Sequence, residues 1–340
     1  MIDFRYHLVS LISVFLALAV GIVLGAGPLQ NSIGSTLTEQ VNQLRTDKED
    51  LRTQLSTANT AVTHRDQFAE AITPALVGSS LSGRTVAIVT LPGVEDDAAD
   101  ALKDAVATAG GSVTGRIKIT DNWTAADKEA DRTGALSNLT KDLPGGYVPA
   151  DGTSPERLAQ VLATSVVSSV GTTLSGAGST DAATALKDLS TAGLINVDDK
   201  LSGLATGVLF VVPANPEATG QAPATPAVSA DAAADYVNLA AKLDATGSGT
   251  VATGPASAAS DGLISSIRDD DTVSKDVSTV DDGSTAMGVA TAVLALSEQL
   301  AGGNGSYGFG SGVDAIMPPI AASSAASTST GTGTGKTDSK

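Results

Sequence analysis

The sequence predicts a mixed α/β protein: an N-terminal transmembrane helix and coiled-coil stalk, followed by a doubly wound, mostly parallel sheet domain. Three observations carry that reading. An uncharged run of 19 residues extends from Leu8 to Ala26. A heptad spacing extends from Leu37 to Ile72. Beyond it, short apolar runs alternate with helically spaced ones. The expected division is a cytoplasmic tip and anchor over 1–29, a stalk over 34–75, an extracytoplasmic domain over 82–319 and a Ser/Thr/Gly-rich tail over 320–340.

The first run has only Ser10 and Ser13 as polar side chains. As a helix it spans about 28 Å, close to the hydrocarbon thickness of a bilayer. A secretory signal has a shorter apolar core and a small-x-small cleavage site. Gly25 and Gly27 have that spacing, but Pro28 would follow the cut. A retained single-pass anchor is therefore the favoured reading over a cleaved signal or a buried core helix. Arg5 precedes the run, and no Lys or Arg follows it until Arg45. Basic residues stay on the cytoplasmic side, which places Met1 in the cytoplasm and the bulk outside.

The stalk seam is Leu37, Val41, Leu44, Lys48, Leu51, Leu55, Ala58, Val62, Arg65, Ala69 and Ile72, of which nine of eleven are apolar. Heptads sustained this long point to a coiled coil, with Lys48 and Arg65 as polar interruptions that set register. Two chains leaving one membrane would pair in parallel, as a homodimer. The alternative is a helix folded back on its own domain.

In the domain, Val86–Leu91 reads as a buried parallel strand and Pro92–Gly93 as a turn. Ala98, Leu102, Ala105, Val106 and Ala109 share a helical face, which Gly110 and Gly111 end. Val113–Ile119 is the next strand. Glu95, Asp96 and Asp97 crowd the helix start, where favourable interaction with its dipole is the expected reason and a cation site the alternative. Residues 121–200 are weakly patterned, with one helix over "SPERLAQVLATSVVSSV" and another over 181–192. A strand follows at about 207–213, then a Pro-rich loop from Pro213 to Pro226. Tyr236, Leu239, Ala240 and Leu243 mark a helix, "GTVATG" a strand, "DGLISSIRD" a short helix and "TVSKDVS" an edge strand. Val289, Val293, Leu296 and Leu300 define the last helix. About five strands are expected. The tail composition suits disorder.

Composition excludes several functions. The chain has 37 acidic and 20 basic residues and a net charge of −17, which disfavours nucleic acid as a partner. It has no cysteine and two histidines, His7 and His64. A Ser/His/Asp triad or a Cys/His pair is thus unattractive, and no Walker A, G-x-S-x-G or HExxH sequence occurs. "GNGSYG" at 303–308 has G-x-G-x-x-G spacing but follows a helix, the wrong context for a dinucleotide site, so an ordered terminal loop is expected there instead. The acid pairs Asp198–Asp199, Asp269–Asp271 and Asp281–Asp282 are expected in solvated turns or caps. No catalytic or cofactor-binding residue is assigned, and an enzyme is not expected.

"MIDFRYHLVSLISVFLALAVGIVLGAGPL", the heptads and "VSTVDDGSTAMGVATAVLALSEQLAGGNGSYGFGSG" together resemble the actinobacterial copper transporter family, MctB type, up to about Pro319. The resemblance implies a cell-envelope protein linked to copper efflux or homeostasis, held in the cell membrane or forming an outer-membrane pore. It also implies links to envelope assembly and cell separation through a neighbouring membrane protein, so a non-enzymatic scaffold that docks envelope partners stands as the alternative. Copper would be a transported ion, not a cofactor. Its candidate ligands are Met1, Met287, Met317, His7 and His64, none of them clustered in sequence. The stalk reading has a direct check: Leu51→Asp or Leu55→Asp converts the detergent-solubilised full chain from dimer to monomer, as measured by light scattering.

Overall fold

The computed structural model describes residues 4–26, 28–168, 177–198, 201–216 and 228–320. The expected tail beyond Ile320, most of the Pro-rich loop and Asp199 lie outside them. Two compact units divide at Gln67 and Phe68.

The first unit begins with α1 (Phe4–Ala26), a continuous helix whose side chains from Phe4 to Gly25 are exposed. Its segment Phe4–Gly25 has a mean hydropathy of 2.7, and among the described residues it alone is long and apolar enough to cross a membrane. The second helix, α2 (Pro28–Val77), is 50 residues long and contains the whole expected stalk. The seam positions from Leu37 to Arg65 are exposed on the single chain, Ala69 is buried and Ile72 is exposed. The second unit takes up the last turns of α2, where Val77 and the following Leu81 are fully buried.

The sheet of that unit comprises β1 (Thr85–Thr90), β2 (Ser112–Ile119), β3 (Ile195–Val197), β4 (Gly207–Val211), β5 (Thr250–Thr253), β6 (Ser278–Val280) and β7 (Ser306–Tyr307). Its seven strands, in the order β3-β2-β1-β4-β5-β6-β7, are parallel except for β3, which runs antiparallel to β2. Growth in both directions from β1 is the doubly wound pattern. The strands are nearly all apolar because both faces are covered. Val86, Ile88, Leu209, Val211, Val251 and Val280 face α3 (Asp96–Thr108) and α10 (Ala286–Gln299). Ala87, Val89, Ile117, Val208, Phe210 and Ala252 face the opposite layer. That layer contains α4 (Glu129–Asp142), α5 (Ser154–Val166), α6 (Ala177–Thr191), α7 (Ala230–Thr246), α8 (Ser257–Ser260) and α9 (Leu263–Asp269).

Local chemistry sets the boundaries. At α5, Thr153 Oγ1 accepts from the Glu156 amide at 3.4 Å and Glu156 Oε2 accepts from the Thr153 amide at 2.8 Å, a reciprocal capping box. Arg132, 4% exposed, anchors the turns before α4 by donating to the Asn122 and Ala125 carbonyls at 2.9 and 2.7 Å and to Glu129. Asp96 at the start of α3 sits near the helix N-terminus as expected, and it also pairs with Lys118 at 2.7 Å. Asp198, expected in a solvated turn, instead bridges Arg116 at 3.1 Å and Lys118 at 2.9 Å.

Three expectations are corrected. The sheet has seven strands, not five, because β3 and β7 are too short to show an apolar run. "TVSKDVS" is not an edge strand. Asp270 Oδ1 accepts from the Thr272 and Val273 amides, both at 2.9 Å, and winds Val273–Lys275 into a 3-10 turn. The strand then starts at Ser278 and lies between β5 and β7. "GNGSYG" is not only a loop, since its Ser306 and Tyr307 form β7.

Asp244, on α7, accepts from Gln299 Nε2 at 3.2 Å, and burial pushes its pKa up from the ordinary 3.8 to about 6, the Thr250 amide partly opposing. A carboxyl whose pKa rises on folding favours the folded state when protonated. Its contribution to stability is therefore full below about pH 4, falls as pH rises through about 6, and is constant above. Asp244→Asn should stabilise the domain at pH 7 by about 1–2 kcal/mol after discounting its partial exposure. The gain should vanish towards pH 4. Urea unfolding followed through the buried Trp123, the chain's one tryptophan, measures both.

Candidate functional site

In open α/β sheets the carboxyl ends of the strands present the ligand-binding edge. Here the switch in winding falls between β1 and β4. There the Leu91 amide donates to the Val211 carbonyl at 3.0 Å and joins the two strand ends. A recess opens further along the same edge, beyond β6.

Asp281 follows β6 directly and is fully buried. Its Oδ2 accepts from Arg268 Nη1 at 3.0 Å and from the Gly310 amide at 2.9 Å. Its Oδ1 accepts from the Phe309 amide at 2.8 Å. Arg268, at the end of α9, also donates to the Ser311 carbonyl at 2.8 Å, to the Tyr307 carbonyl at 3.1 Å and to Thr279 Oγ1 at 2.8 Å. The expectation of a solvated Asp281–Asp282 turn is thus overturned for Asp281. A buried carboxylate needs a paired cation and several donors, and this one has them. The loop must come very close to supply its amides. A Cβ on Gly308, at φ +127°, would collide with Asp281 Oδ1, and one on Gly310 would crowd Oδ2.

Tyr307, just before the loop, is buried and donates its hydroxyl to Glu298. Burial, then the Glu298 carboxylate, raises its pKa above the ordinary tyrosine value. Asp282, the neighbour of Asp281, accepts at Oδ2 from Thr285 Oγ1 at 2.8 Å. Thr285 in turn caps α10 by accepting from the Gly288 amide at 3.1 Å.

These contacts frame a cavity of about 140 Å³. Its walls come from α2 (Ala69, Ile72, Leu76), from the start of α10 (Met287, Thr291) and from the chain after β7 (Phe309, Ile316, Met317). Asp282 is the one charged residue among them. Sequence reasoning found no pair of copper ligands, yet Met287 and Met317, 30 positions apart, share this cavity. Thioethers are soft ligands that suit Cu(I), and a carboxylate stands beside them. Among the described residues no group of three or more His, Cys, Asp and Glu could hold a metal ion. Two thioethers without thiolate or imidazole offer a transient contact for a soft ion rather than a resident site. In an apolar wall, methionine also serves simply to fill irregular space.

The chemistry-bearing edge is thus an apolar recess braced by an ion pair, on a doubly wound domain that follows a helix of membrane-spanning length. That defines a class of doubly wound α/β proteins with an N-terminal apolar segment. The chain belongs to the family described as "Copper transport outer membrane protein, MctB", which it matches over residues 1–318. The Copper transporter MctB of Mycobacterium leprae is 28% identical over 332 residues, covering 94% of this chain and 100% of that protein. The proteins of the same name from Mycobacterium tuberculosis and Mycobacterium bovis are each 33% identical over 146 residues, 43% of this chain. The matched stretch spans about half the length of those two relatives, 46%.

The ion pair makes a quantitative prediction. Asp281→Ala leaves the buried Arg268 guanidinium without its carboxylate and should cost about 3–5 kcal/mol of unfolding free energy. Gly308→Ala, through strain and collision, should destabilise as well. Both are measured by urea unfolding followed at Trp123.

Proposed function

We propose that this chain is a non-catalytic, membrane-anchored envelope protein that takes part in copper efflux as a parallel homodimer, with copper as cargo. Membership of the copper transport family over nearly the whole chain carries the reading. The apolar helix Phe4–Ala26 supports the anchor. Arg5 ahead of it and the absence of Lys and Arg behind it up to Arg45 support a cytoplasmic N-terminus and an extracytoplasmic bulk. The exposed heptad positions of α2, from Leu37 to Arg65, support pairing of two copies.

Physical chemistry limits how efflux can work. One transmembrane helix bonds its own backbone and encloses no path for an ion. The chain therefore contributes as an assembly of copies or beside an envelope partner that supplies the conduit. Met287 and Met317 give the cargo a brief soft contact at most.

The test is cell-associated copper in a deletion strain at matched external copper. It should exceed that of the parent and return to the parental level with the full-length chain. The double variant Met287→Leu, Met317→Leu should restore it equally. Failure of the double variant alone would assign copper handling to the two thioethers, and unchanged copper in the deletion strain would overturn the efflux reading.

A further inference from the structure

Of the chain's nine asparagines, only Asn304 is followed by glycine. The pair leads into the last strand of the sheet, and its two residues stand in different surroundings. Asn304 is exposed and Gly305 is buried. The Gly305 amide donates to Ser278 Oγ at 3.2 Å, and the Gly305 carbonyl accepts from the Thr279 amide at 3.1 Å. Ser278 is fully buried, so water does not compete for its hydroxyl. One residue further on, the Ser306 amide donates to Asp314 Oδ2 at 2.9 Å. Gly305 also packs so closely on Tyr307 that a Cβ there would collide with the Tyr307 hydroxyl. A backbone amide held in this way is free neither to lose its proton nor to turn towards the side chain before it.

We infer that Asn304–Gly305 is a site of spontaneous deamidation, held closed in the folded chain by Ser278 and released when β7 lifts from β6. The chemistry needs only hydroxide and water. With its proton removed by hydroxide, the Gly305 nitrogen bonds to the Asn304 side-chain carbonyl carbon, and ammonia leaves. Water then opens the resulting ring at one carbonyl or the other, which gives aspartate or isoaspartate. Glycine suits the closure, because no side chain obstructs its nitrogen and its backbone turns freely. The last strand is also a place where opening is easy. It has two residues and lies at the end of the sheet, and such segments open without global unfolding. Isoaspartate adds one carbon to the main chain just ahead of β7. That displaces the pairing of Ser306 with Thr279 and of Tyr307 with Val280, and with it the amides that Phe309 and Gly310 direct at Asp281. A chain that has opened and reacted in this way cannot re-form the full brace.

The test follows Asn304 in the detergent-solubilised full chain, folded in buffer and unfolded in urea, at mildly alkaline pH. Cleavage after Glu298 isolates the segment that contains Asn304, and mass spectrometry reads the conversion of amide to acid. The unfolded chain should react at Asn304 before any other asparagine, and the folded chain should keep the amide over the same time. In the folded state Ser278→Ala, which removes one neutral hydrogen bond, should raise the rate about 3–10-fold. In urea the same substitution should change nothing. Trp123 fluorescence checks that the variant is folded. If it is not, Asp314→Ala, which releases the Ser306 amide from an exposed partner, takes its place with the same expected acceleration. Equal rates in the folded and unfolded parent chains overturn the inference, as does a folded variant that reacts at the parental rate. Conversion of Asn304 in urea no faster than that of the other asparagines removes the site altogether.

Discussion

The carboxylate of Asp281 has no access to water, and much of this domain is arranged around that fact. Left alone, a buried charge of this kind would unfold its surroundings or take up a proton. It is instead met by a guanidinium from α9 and two amides from the chain after β7. One side chain thus ties together a helix on one face of the sheet, the end of β6 and the chain that follows the last strand of the sheet. The glycines of "SYGFGSG" follow from the same demand, because amides can approach a carboxylate this closely only where no Cβ intervenes. Arg268 then repeats the pattern from its own side by reaching the Tyr307 and Ser311 carbonyls.

The exposed recess is a by-product of this bracing. With the loop drawn inwards by its backbone, its Phe309 side chain is turned outwards, next to Met287 and Ile316. Stability and surface chemistry are therefore coupled here. The segment that displays the apolar side chains cannot relax to hide them without giving up acceptors for a buried cation.

Much of the architecture was legible in the sequence. Helices with a clear apolar face, such as α3, α7 and α10, and strands with continuous Val/Ile/Leu runs, such as β1 and β4, stand where the periodicity puts them. Elements that lacked a pattern were missed. The α4 helix has Ala135, Leu136 and Leu139 inside but is otherwise polar, and it is fixed largely by Arg132, a residue that periodicity assigns to solvent. β3 and β7 have three and two residues, too few for any period to register. The site was the least legible part. Asp281 and Arg268 are 13 positions apart, and Met287 and Met317 are 30 apart, so only the winding of the sheet brings them together. The run of glycines after Tyr307 was the one available signal. Glycines permit a close backbone approach, but nothing in the run itself says to what.

The two ends of the sheet have a further consequence. One outer strand is antiparallel and three residues long, and the other has two residues. The row of free backbone donors and acceptors that an outer strand usually presents is therefore almost absent. Copies of this domain have no template on which to extend one sheet into the next. They are thereby protected from the cross-strand polymerisation that threatens parallel sheets, and whatever holds them together must do so through side chains.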